Sequence, residues 1–442
     1  MSLNINRLHK VSQLFQPLNY LPKDANVRNE ITSKSYKLMI DMGIIRQANV
    51  GMYALLPLGI RVLQKLINLV DYEMAHVGAQ KMLLPALTST KLWEKTNRLN
   101  SNSSELFTLF DRYDKQYILS PTYEEAISEL ICSVGVLSPK DVPLRLYQIS
   151  SKWRDEMKPR LGLLRGREFI MKDLYTFDIN LNEAENTYEQ VCHVYQNLLK
   201  QIGVDFVKVL GDNGMIGGSI SHEYHYLSSI GEDIIMSCES CGFRANANVH
   251  EKSTCPECEN SLMKDKAIEV GHTFLLGTKY SEPLNATCID HGERKHLVMG
   301  CYGLGLTRII AATVELLSTE LELRWPKHLA PFNVCIIPPK EGSKEIASMQ
   351  YVDIIHQILS RLNIDTILDD RINLTIGKRM VYARRSGYPY IIVIGKLAMQ
   401  PVPQFEVFDV NNGTELILNS EELSNYFSQN TELDIKEQRA QL

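Results

Sequence analysis

The sequence predicts an α+β protein in which a large domain with an antiparallel sheet precedes a smaller α/β domain. Its 442 residues exceed the roughly 100–200 residues of one ordinary domain. Strand, hairpin and helix patterns follow one another up to Pro326 without the regular alternation of a parallel α/β fold. After Pro331 the pattern becomes strand, helix, strand, helix, strand, which indicates an independent α/β domain.

The composition is typical of a folded globular protein. Hydrophobic residues make up 44% and charged residues 22%, which argues against a disordered chain, a fibrous repeat and a coiled coil. The apolar runs are strand-sized, far below the roughly 20 residues of a membrane helix, so no membrane partner is expected. A net charge of −5 requires any nucleic-acid contact to come from local basic patches. Nine unevenly placed cysteines fit a reducing compartment.

The elements of the large domain are predicted in chain order. Residues 27–76 have apolar residues at helical spacing, and residues 81–85 form a short apolar run that predicts a strand. Residues 105–120 alternate like a hairpin. Thr122, followed three residues later by Glu125, predicts a capping box at the start of a helix.

The pattern also gives the expected domain bounds. Two strand-like stretches flank a loop containing proline and glycine over residues 145–178. The smaller domain is expected to contain strands at 332–337, 364–368 and 390–394 and helices at 344–362 and 375–386. The predicted organisation is an N-terminal segment 1–26, a large domain 27–328 with a cysteine-rich stretch 236–262, a smaller domain 329–428 and a mobile tail 429–442.

The N-terminal segment has two interpretations. Its first 23 residues contain Arg7, Lys10 and Lys23 but no acidic residue, and its apolar residues lie roughly on one helical face. A basic, acid-poor, amphipathic segment is typical of mitochondrial targeting. An ordinary N-terminal helix would have the same composition.

Three segments carry the strongest functional signal, and they occur in a fixed order: residues 78–85, residues 151–173 and residues 300–308. The second contains Arg154 and an Arg/Gly-rich loop, and the third is a glycine-rich stretch ending in Arg308. In this order the sequence resembles the class II aminoacyl-tRNA synthetases. Six further matches, at 121–125, 164–169, 172–177, 268–272, 276–281 and 374–379, resemble the prolyl-tRNA synthetases, and the likeness covers residues 7–410.

The resemblance implies a proline–tRNA ligase, which makes prolyl-adenylate from proline and ATP and transfers proline to tRNA(Pro). Its catalytic domain would be the class II antiparallel-sheet domain, and Mg²⁺ would bridge the ATP phosphates. Activation brings two anions together, so a fixed guanidinium that contacts both would stabilise the reacting centre. Arg154 and Arg308 are the catalytic candidates, whereas a lone arginine would ordinarily form a surface salt bridge. The implied ATP-binding residues are Arg154, Glu156, Phe169, Gly303, Gly305 and Arg308.

The implied proline pocket must fit a five-membered ring and accept hydrogen bonds from a secondary ammonium. By resemblance, Thr122 and Glu124 hold that nitrogen, and Asp173 and His272 line the ring. The full predicted set is Thr122, Glu124, Arg154, Asp173, His272 and Cys301.

Four cysteines have the spacing of a zinc ribbon: Cys238, Cys241, Cys255 and Cys258. Four thiolates would make a structural zinc site with no open position for catalysis; the alternative is a set of reduced or vestigial cysteines. In bacterial relatives an editing domain is inserted in this part of the chain. The segment between Gly214 and Ile268 is too short to contain it.

The smaller domain resembles the anticodon-binding domain of several class II enzymes. Residues 372–405 contain no acidic residue, and the predicted tRNA-binding residues there are Lys378, Arg379, Arg384 and Arg385. Tyr382, Tyr388 and Tyr390 are interleaved with them and could stack on anticodon bases.

The resemblance also bears on assembly and location. The segment at 78–85 resembles the family's dimer-forming motif, so a homodimer is expected. The missing editing insertion and the acid-poor N-terminus favour the mitochondrial matrix, with a bacterial cytoplasm as the alternative. Two rival functions remain: a non-catalytic accessory subunit that binds nucleic acid, and a class II synthetase for another amino acid.

Overall fold

The computed structural model describes residues 7–18, 33–99 and 105–429. The predicted mobile tail lies, after its first residue, outside this range, as does more than half of the N-terminal segment 1–26. The chain divides into two compact units. Unit 1 comprises residues 1–46, 54–65 and 313–442, and unit 2 comprises residues 47–53 and 66–312. The domain bounds predicted from the sequence, including the boundary near residue 328, stay predictions.

The helices of the described chain are α1 Lys34–Asp41, α2 Pro57–His76, α3 Thr90–Lys95, α4 Glu124–Val134, α5 Leu181–Ile202, α6 Leu306–Leu317, α7 Tyr351–Arg361, α8 Ile376–Ser386 and α9 over residues 420–429. Short 3₁₀ turns lie at Val11–Gln13, Gly162–Leu164, Ile346–Gln350 and Lys396–Met399. None of the described helices is long and apolar enough to cross a membrane.

The strands are β1 His9–Lys10, β2 Ile45–Asn49, β3 Met52–Leu55, β4 Gln80–Lys81, β5 Leu87–Ser89, β6 Phe107–Phe110, β7 Gln116–Leu119, β8 Leu144–Trp153, β9 Glu168–Asp178, β10 Val207–Leu210, β11 Ile220–Leu227, β12 Asp233–Ser237, β13 Arg244–Asn246, β14 Met263–Gly277, β15 Thr287–Asp290, β16 Glu293–His296, β17 Val298–Gly305, β18 Val334–Ile337, β19 Thr366–Leu368, β20 Tyr390–Val393, β21 Phe405–Asp409 and β22 Thr414–Leu418.

Unit 2 is built on a nine-stranded sheet in the order β11-β10-β13-β12-β14-β17-β9-β8-β4. Its centre, from β14 to β8, is antiparallel. Because side chains alternate between the faces of a strand, each central strand places its side chains in two different environments. On one face, Lys172 and Tyr302 contact tyrosines of α5. Asp173, Cys301 and Gly303 lie on the opposite face, which packs partly against α4 and partly lines a cavity.

Several predictions for unit 2 are confirmed. Strands β6 and β7 form the predicted hairpin, and β8 and β9 are the two strands predicted over 145–178. The predicted strand at 81–85 is wrong for most of its length, because only Gln80–Lys81 pairs with β8. The helices predicted over 27–76 are present as α1 and α2, but a β2–β3 hairpin that was not predicted separates them. Residues 27–32 lie outside the described residues.

The capping box predicted at Thr122 is wrong. Tyr123 occupies the N-cap of α4 and makes no side-chain cap hydrogen bond. The Thr122 hydroxyl lies instead within hydrogen-bond distance of both carboxylate oxygens of Glu124, at 2.7 and 2.8 Å. The hydroxyl therefore orients the first acidic side chain of the helix.

Unit 1 is built on a six-stranded sheet in the order β1-β19-β18-β20-β21-β22. The first four strands are parallel, and β21 and β22 add an antiparallel hairpin. The three strands and the helices predicted after Pro331 are confirmed, with bounds that shift by a few residues. The N-terminal edge strand β1 was not predicted; its hydrogen bonds continue at Ser12, whose backbone N–H and hydroxyl both donate to Asp370.

Candidate active site

A cavity of about 700 Å³ opens on the face of the nine-stranded sheet opposite α5, in unit 2. It is lined by residues from the central strands, the start of α4, the loop between β8 and β9 and the start of α6. The structure brings to this cavity every predicted proline- and ATP-binding residue: Thr122, Glu124, Arg154, Glu156, Phe169, Asp173, His272, Cys301, Gly303, Gly305 and Arg308.

Strand register explains why distant residues meet here. Gly303 of β17 pairs with Asp173 of β9 on one side and with His272 of β14 on the other. Directly paired residues point to the same face. The missing side chain of Gly303 therefore leaves an opening between Asp173 and His272. A Cβ atom built at Gly303 would lie 3.4 Å from the Met171 sulfur, so the glycine keeps this opening rather than relieving a clash.

Two guanidinium groups give one part of the cavity a positive charge. Arg154 directly follows β8, and its guanidinium carbon lies 5.1 Å from the centre of the Phe169 ring. Helix α6 begins immediately after Gly305, and Arg308 lies in its first turn. Burial lowers the pKa of Arg154, and the charge of Arg308 lowers it further. Two facing cations beside a helix N-terminus make a suitable site for a polyanion.

Arg308 is held by Glu269. Its Nη1 donates to the Glu269 backbone carbonyl at 3.0 Å and to the carboxylate at 3.2 Å. Glu269 also contacts His272 Nδ1 at 3.1 Å. Burial alone would raise the pKa of Glu269, but its hydrogen bond with His272 and the charges of His272 and Arg308 hold the pKa well below the usual range. The carboxylate is thus ionised and fixes both neighbours.

Glu156 is buried in the turn after Arg154. It forms a 2.8 Å ion pair with Arg165, and its other oxygen accepts the backbone N–H of Lys158. Burial raises its pKa, but the hydrogen bonds from Arg165 and Lys158 outweigh that effect and lower it. A second ion pair, between Arg165 and Glu232, ties the same loop to the turn before β12.

An acidic group lies at the start of α4. Glu124 accepts from the Thr122 hydroxyl and, at 3.1 Å, from the Cys301 thiol. Burial and the Glu124 charge raise the pKa of Cys301, so this thiol is protonated and acts as a donor. The side chain of Cys301, and not only its backbone, therefore belongs to the wall of the cavity.

Asp173 is almost completely buried and is paired with an equally buried lysine. Lys152 Nζ lies 2.7 Å from one carboxylate oxygen, and Gln148 donates to the other at 2.9 Å. Lys152 also lies 4.7 Å from the centre of the Tyr123 ring. Lys152 was not predicted from the sequence. Its position in β8, two residues before Arg154, is the signal that could have revealed it.

Arg98 is a second residue that sequence reasoning missed. It lines the cavity and forms ion pairs with Glu124 at 3.3 Å and with Glu125 at 2.9 Å. No motif marked it, because it lies in a turn 26 residues before Glu124.

The four predicted metal ligands do come together. The sulfur atoms of Cys238, Cys241, Cys255 and Cys258 all lie within 4.8 Å of one another. Tetrahedral zinc with Zn–S bonds of about 2.3 Å would place its ligand sulfurs about 3.8 Å apart. The donor set therefore fits a structural zinc ion.

The predicted basic surface of unit 1 is only partly present. Lys378 is exposed, and Arg384 and Arg385 are half-buried at the end of α8. Arg379 must be removed from the predicted tRNA contacts, because it is fully buried and donates to the backbone carbonyls of Asp369 and Pro338.

The tyrosines predicted to stack on bases are a further correction. Tyr382, Tyr388 and Tyr390 are each less than a tenth exposed and belong to the interior of unit 1. Their faces are therefore unavailable to splayed bases in this conformation.

Comparison with known proteins identifies relatives over most of the chain. Residues 107–316 match the tRNA synthetase class II core domain (G, H, P, S and T), and residues 333–430 match an anticodon-binding domain. The chain is 45% identical over 423 residues to a probable mitochondrial proline--tRNA ligase of Rattus norvegicus, covering 93% of this chain and 89% of the relative. The human counterpart is 46% identical over 415 residues, covering 91% and 87%.

More distant relatives agree. A proline--tRNA ligase of a Wolbachia species is 34% identical over 430 residues, covering 92% of this chain and 98% of the relative. The fold matches a prolyl-tRNA synthetase from Cryptosporidium parvum, solved with L-proline and AMP, with a TM-score of 0.73 and 18% identity, covering 92% of this chain and 79% of that one.

The Lys152–Asp173 pair gives a stability prediction. Lys152→Met leaves the Asp173 charge buried without its cation, and we expect a loss of about 3–5 kcal/mol in the free energy of unfolding. Urea unfolding measures it. The double variant Lys152→Met/Asp173→Asn has no buried charge at this position and should be more stable than the single variant. A loss below about 1 kcal/mol for Lys152→Met would show that the pair is not a significant constraint.

Proposed function

This chain belongs to the prolyl-tRNA synthetases of class II, and we propose that it activates proline with ATP and transfers the prolyl group to tRNA(Pro). The observation that carries the proposal is the charge pattern of the cavity. Arg154 and Arg308 offer positive charge to a carboxylate and to phosphates, whereas Glu124 offers negative charge to an ammonium group. A zwitterionic amino acid and a nucleotide match these two parts.

In the first step, a carboxylate oxygen of proline forms a bond to the α-phosphorus of ATP. The bond from that phosphorus to the bridging oxygen breaks, and diphosphate leaves with the electron pair. Arg154 contacts both anions, lowers their repulsion and stabilises the charge that builds up on the phosphoryl oxygens. Phe169 packs beside the Arg154 guanidinium and provides the face on which adenine stacks. Glu156 accepts from the adenine amino group.

The terminal phosphates lie at Arg308. Its guanidinium is fixed by Glu269, and the N-terminus of α6 adds a favourable dipole. Gly303 and Gly305 keep the approach to this helix free of side chains. Mg²⁺ bound with ATP would neutralise phosphate charge, and the ionised Glu269 carboxylate is a group at the cavity that fits such an ion.

The proline ring lies between Asp173 and His272, in the opening at Gly303. The secondary ammonium has two N–H groups. One donates to Glu124, and the other donates to a lone pair of the Thr122 hydroxyl, which itself donates to Glu124. Primary amino acids lack the ring that fills this opening, and this difference disfavours a synthetase for another amino acid.

In the second step, a ribose hydroxyl of the tRNA terminus attacks the carbonyl carbon of prolyl-adenylate. An ester forms and AMP leaves. The basic residues Lys378, Arg384 and Arg385 of the anticodon-binding domain contact tRNA phosphates and hold the tRNA for this transfer. A non-catalytic accessory subunit would not need the paired Arg154 and Arg308, which disfavours that rival.

Three further properties belong to the proposal. The four cysteines bind a structural zinc ion that fixes the segment after β12. The segment at 78–85 contributes to a homodimer interface. The mitochondrial relatives support a location in the mitochondrial matrix rather than a bacterial cytoplasm.

Arg154→Ala tests the catalytic assignment. Loss of a charge contact made in the transition state should cost more than about 1.4 kcal/mol, and we expect proline-dependent ATP–diphosphate exchange to fall by well over tenfold. Exchange should be measured with each amino acid in turn, so that the same assay tests substrate identity. The exposed Arg112→Ala variant is the control. Exchange within tenfold of the parent would remove Arg154 from this role.

Neutralising Lys378, Arg384 and Arg385 together tests the tRNA surface. We expect weaker tRNA binding and a shallower dependence of the logarithm of the binding constant on the logarithm of the salt concentration. With fewer phosphate contacts, binding releases fewer counterions. Adenylate formation should not change. Arg361→Gln, an exposed position on α7, is the matched control. An unchanged salt slope would make these residues an ordinary solvated surface.

The zinc site predicts about one zinc ion per chain when the purified protein is measured by elemental analysis. Cys255→Ser should lose the metal and unfold at lower temperature, whereas Cys132→Ser should keep it. Wild-type protein without metal, purified in the absence of chelator, would contradict a zinc site.

A further inference from the structure

Arg98 is a charged residue at the cavity that the proposed reaction does not use. Its side chain is 12% exposed, and the carboxylates of Glu124 and Glu125 that it contacts are completely buried. One Nη atom lies 3.3 Å from Glu124 Oε2 and 2.9 Å from Glu125 Oε1. A single guanidinium thus joins two adjacent acidic side chains, which would repel each other without it.

The guanidinium is held in place from several sides. It lies 4.4 Å from the centre of the Trp93 ring and 5.5 Å from that of Tyr280. The backbone N–H of Arg98 donates to Trp93, and the preceding Asn97 has a left-handed φ of 57°. Rings on its faces and a fixed backbone leave an arginine few alternative rotamers. Arg98 is therefore a rigid cation rather than a mobile surface charge.

The two carboxylates differ in what else they contact. Glu125 accepts from the Thr96 hydroxyl at 2.9 Å, and burial raises its pKa. Glu124 accepts from Thr122 and from Cys301 in addition to Arg98. A carboxylate has about four acceptor positions, so three donors leave one position of Glu124, which lines the cavity, without a donor. The open position is where an N–H of a substrate amine can donate.

We propose that Arg98 is a positioning residue for the substrate amine: by binding Glu124 and Glu125 together, it fixes the Glu124 carboxylate with one acceptor position aimed at the secondary ammonium of proline. This inference rests on the proposed function of Glu124. With both acids ionised, the three side chains carry one net negative charge, which the ammonium balances. Arg98 acts through Glu124 and does not itself touch the substrate.

The test compares two ligands in Arg98→Met and Arg98→Lys. Proline has the ammonium, whereas cyclopentanecarboxylate has the same ring size and carboxylate but no N–H. In Arg98→Met we expect the KM for proline in ATP–diphosphate exchange to rise at least tenfold. The inhibition constant of cyclopentanecarboxylate and the KM for ATP should change less than twofold. Arg98→Lys keeps the charge but not the contact with both carboxylates, so its KM for proline should lie between those of the parent and Arg98→Met.

Arg112→Met, at an exposed position, is the matched control and should resemble the parent. If the binding of proline and that of cyclopentanecarboxylate weaken equally, Arg98 only supports the fold. If the KM for proline is unchanged, Arg98 has no role at the site. Either result overturns the proposal. If Arg98→Met does not fold, Arg98→Lys alone decides the question: its KM for proline must rise more than its inhibition constant for cyclopentanecarboxylate. Wild-type protein without proline-dependent exchange would instead contradict the proposed function itself.

Discussion

Charge compensation between neighbouring elements is the constraint on which the cavity of unit 2 depends. Lys152 pairs with Asp173 from the next strand, and Arg308 of α6 pairs with Glu269 of β14. Removing one partner of the buried Lys152–Asp173 pair leaves a charge that the interior cannot solvate. The charges meet only when β8, β9, β14 and α6 are in their native register. These ion pairs therefore form only when the sheet is correctly assembled.

The alternation of side chains along a strand separates binding from packing. Lys172 and Asp173 are neighbours in sequence, yet Lys172 reaches Tyr195 of α5 whereas Asp173 faces the cavity. A shift of one residue in the register of β9 would exchange the two environments. Substitutions on both faces of β9 are therefore constrained, because α5 packs against one face, whereas α4 and the cavity share the other.

Periodicity and motif order predicted much of this structure, and tertiary contacts account for what they missed. The hairpin β6–β7 and strands β8 and β9 follow from local alternation. The hairpin β2–β3 was missed because its residues were read as part of a helical pattern. In α8, Arg379 shares the buried face with Tyr382, Ala383 and Ser386 at helical spacing. The residue type suggested a phosphate contact, whereas the spacing already placed it with the interior. Arg98 could not be predicted, because its partners are brought to it by folding alone.

The position of β1 sets an order of assembly. Ser12 and Asp370, which flank the β1–β19 pairing, are 358 residues apart in sequence. Residues 66–312 of unit 2 are continuous, so they can complete their sheet while the chain is still being synthesised. Strand β1 must wait until β19, which lies far along the chain, has been made before its own sheet exists. We therefore expect unit 1 to finish folding after unit 2, although β1 precedes unit 2 in the chain.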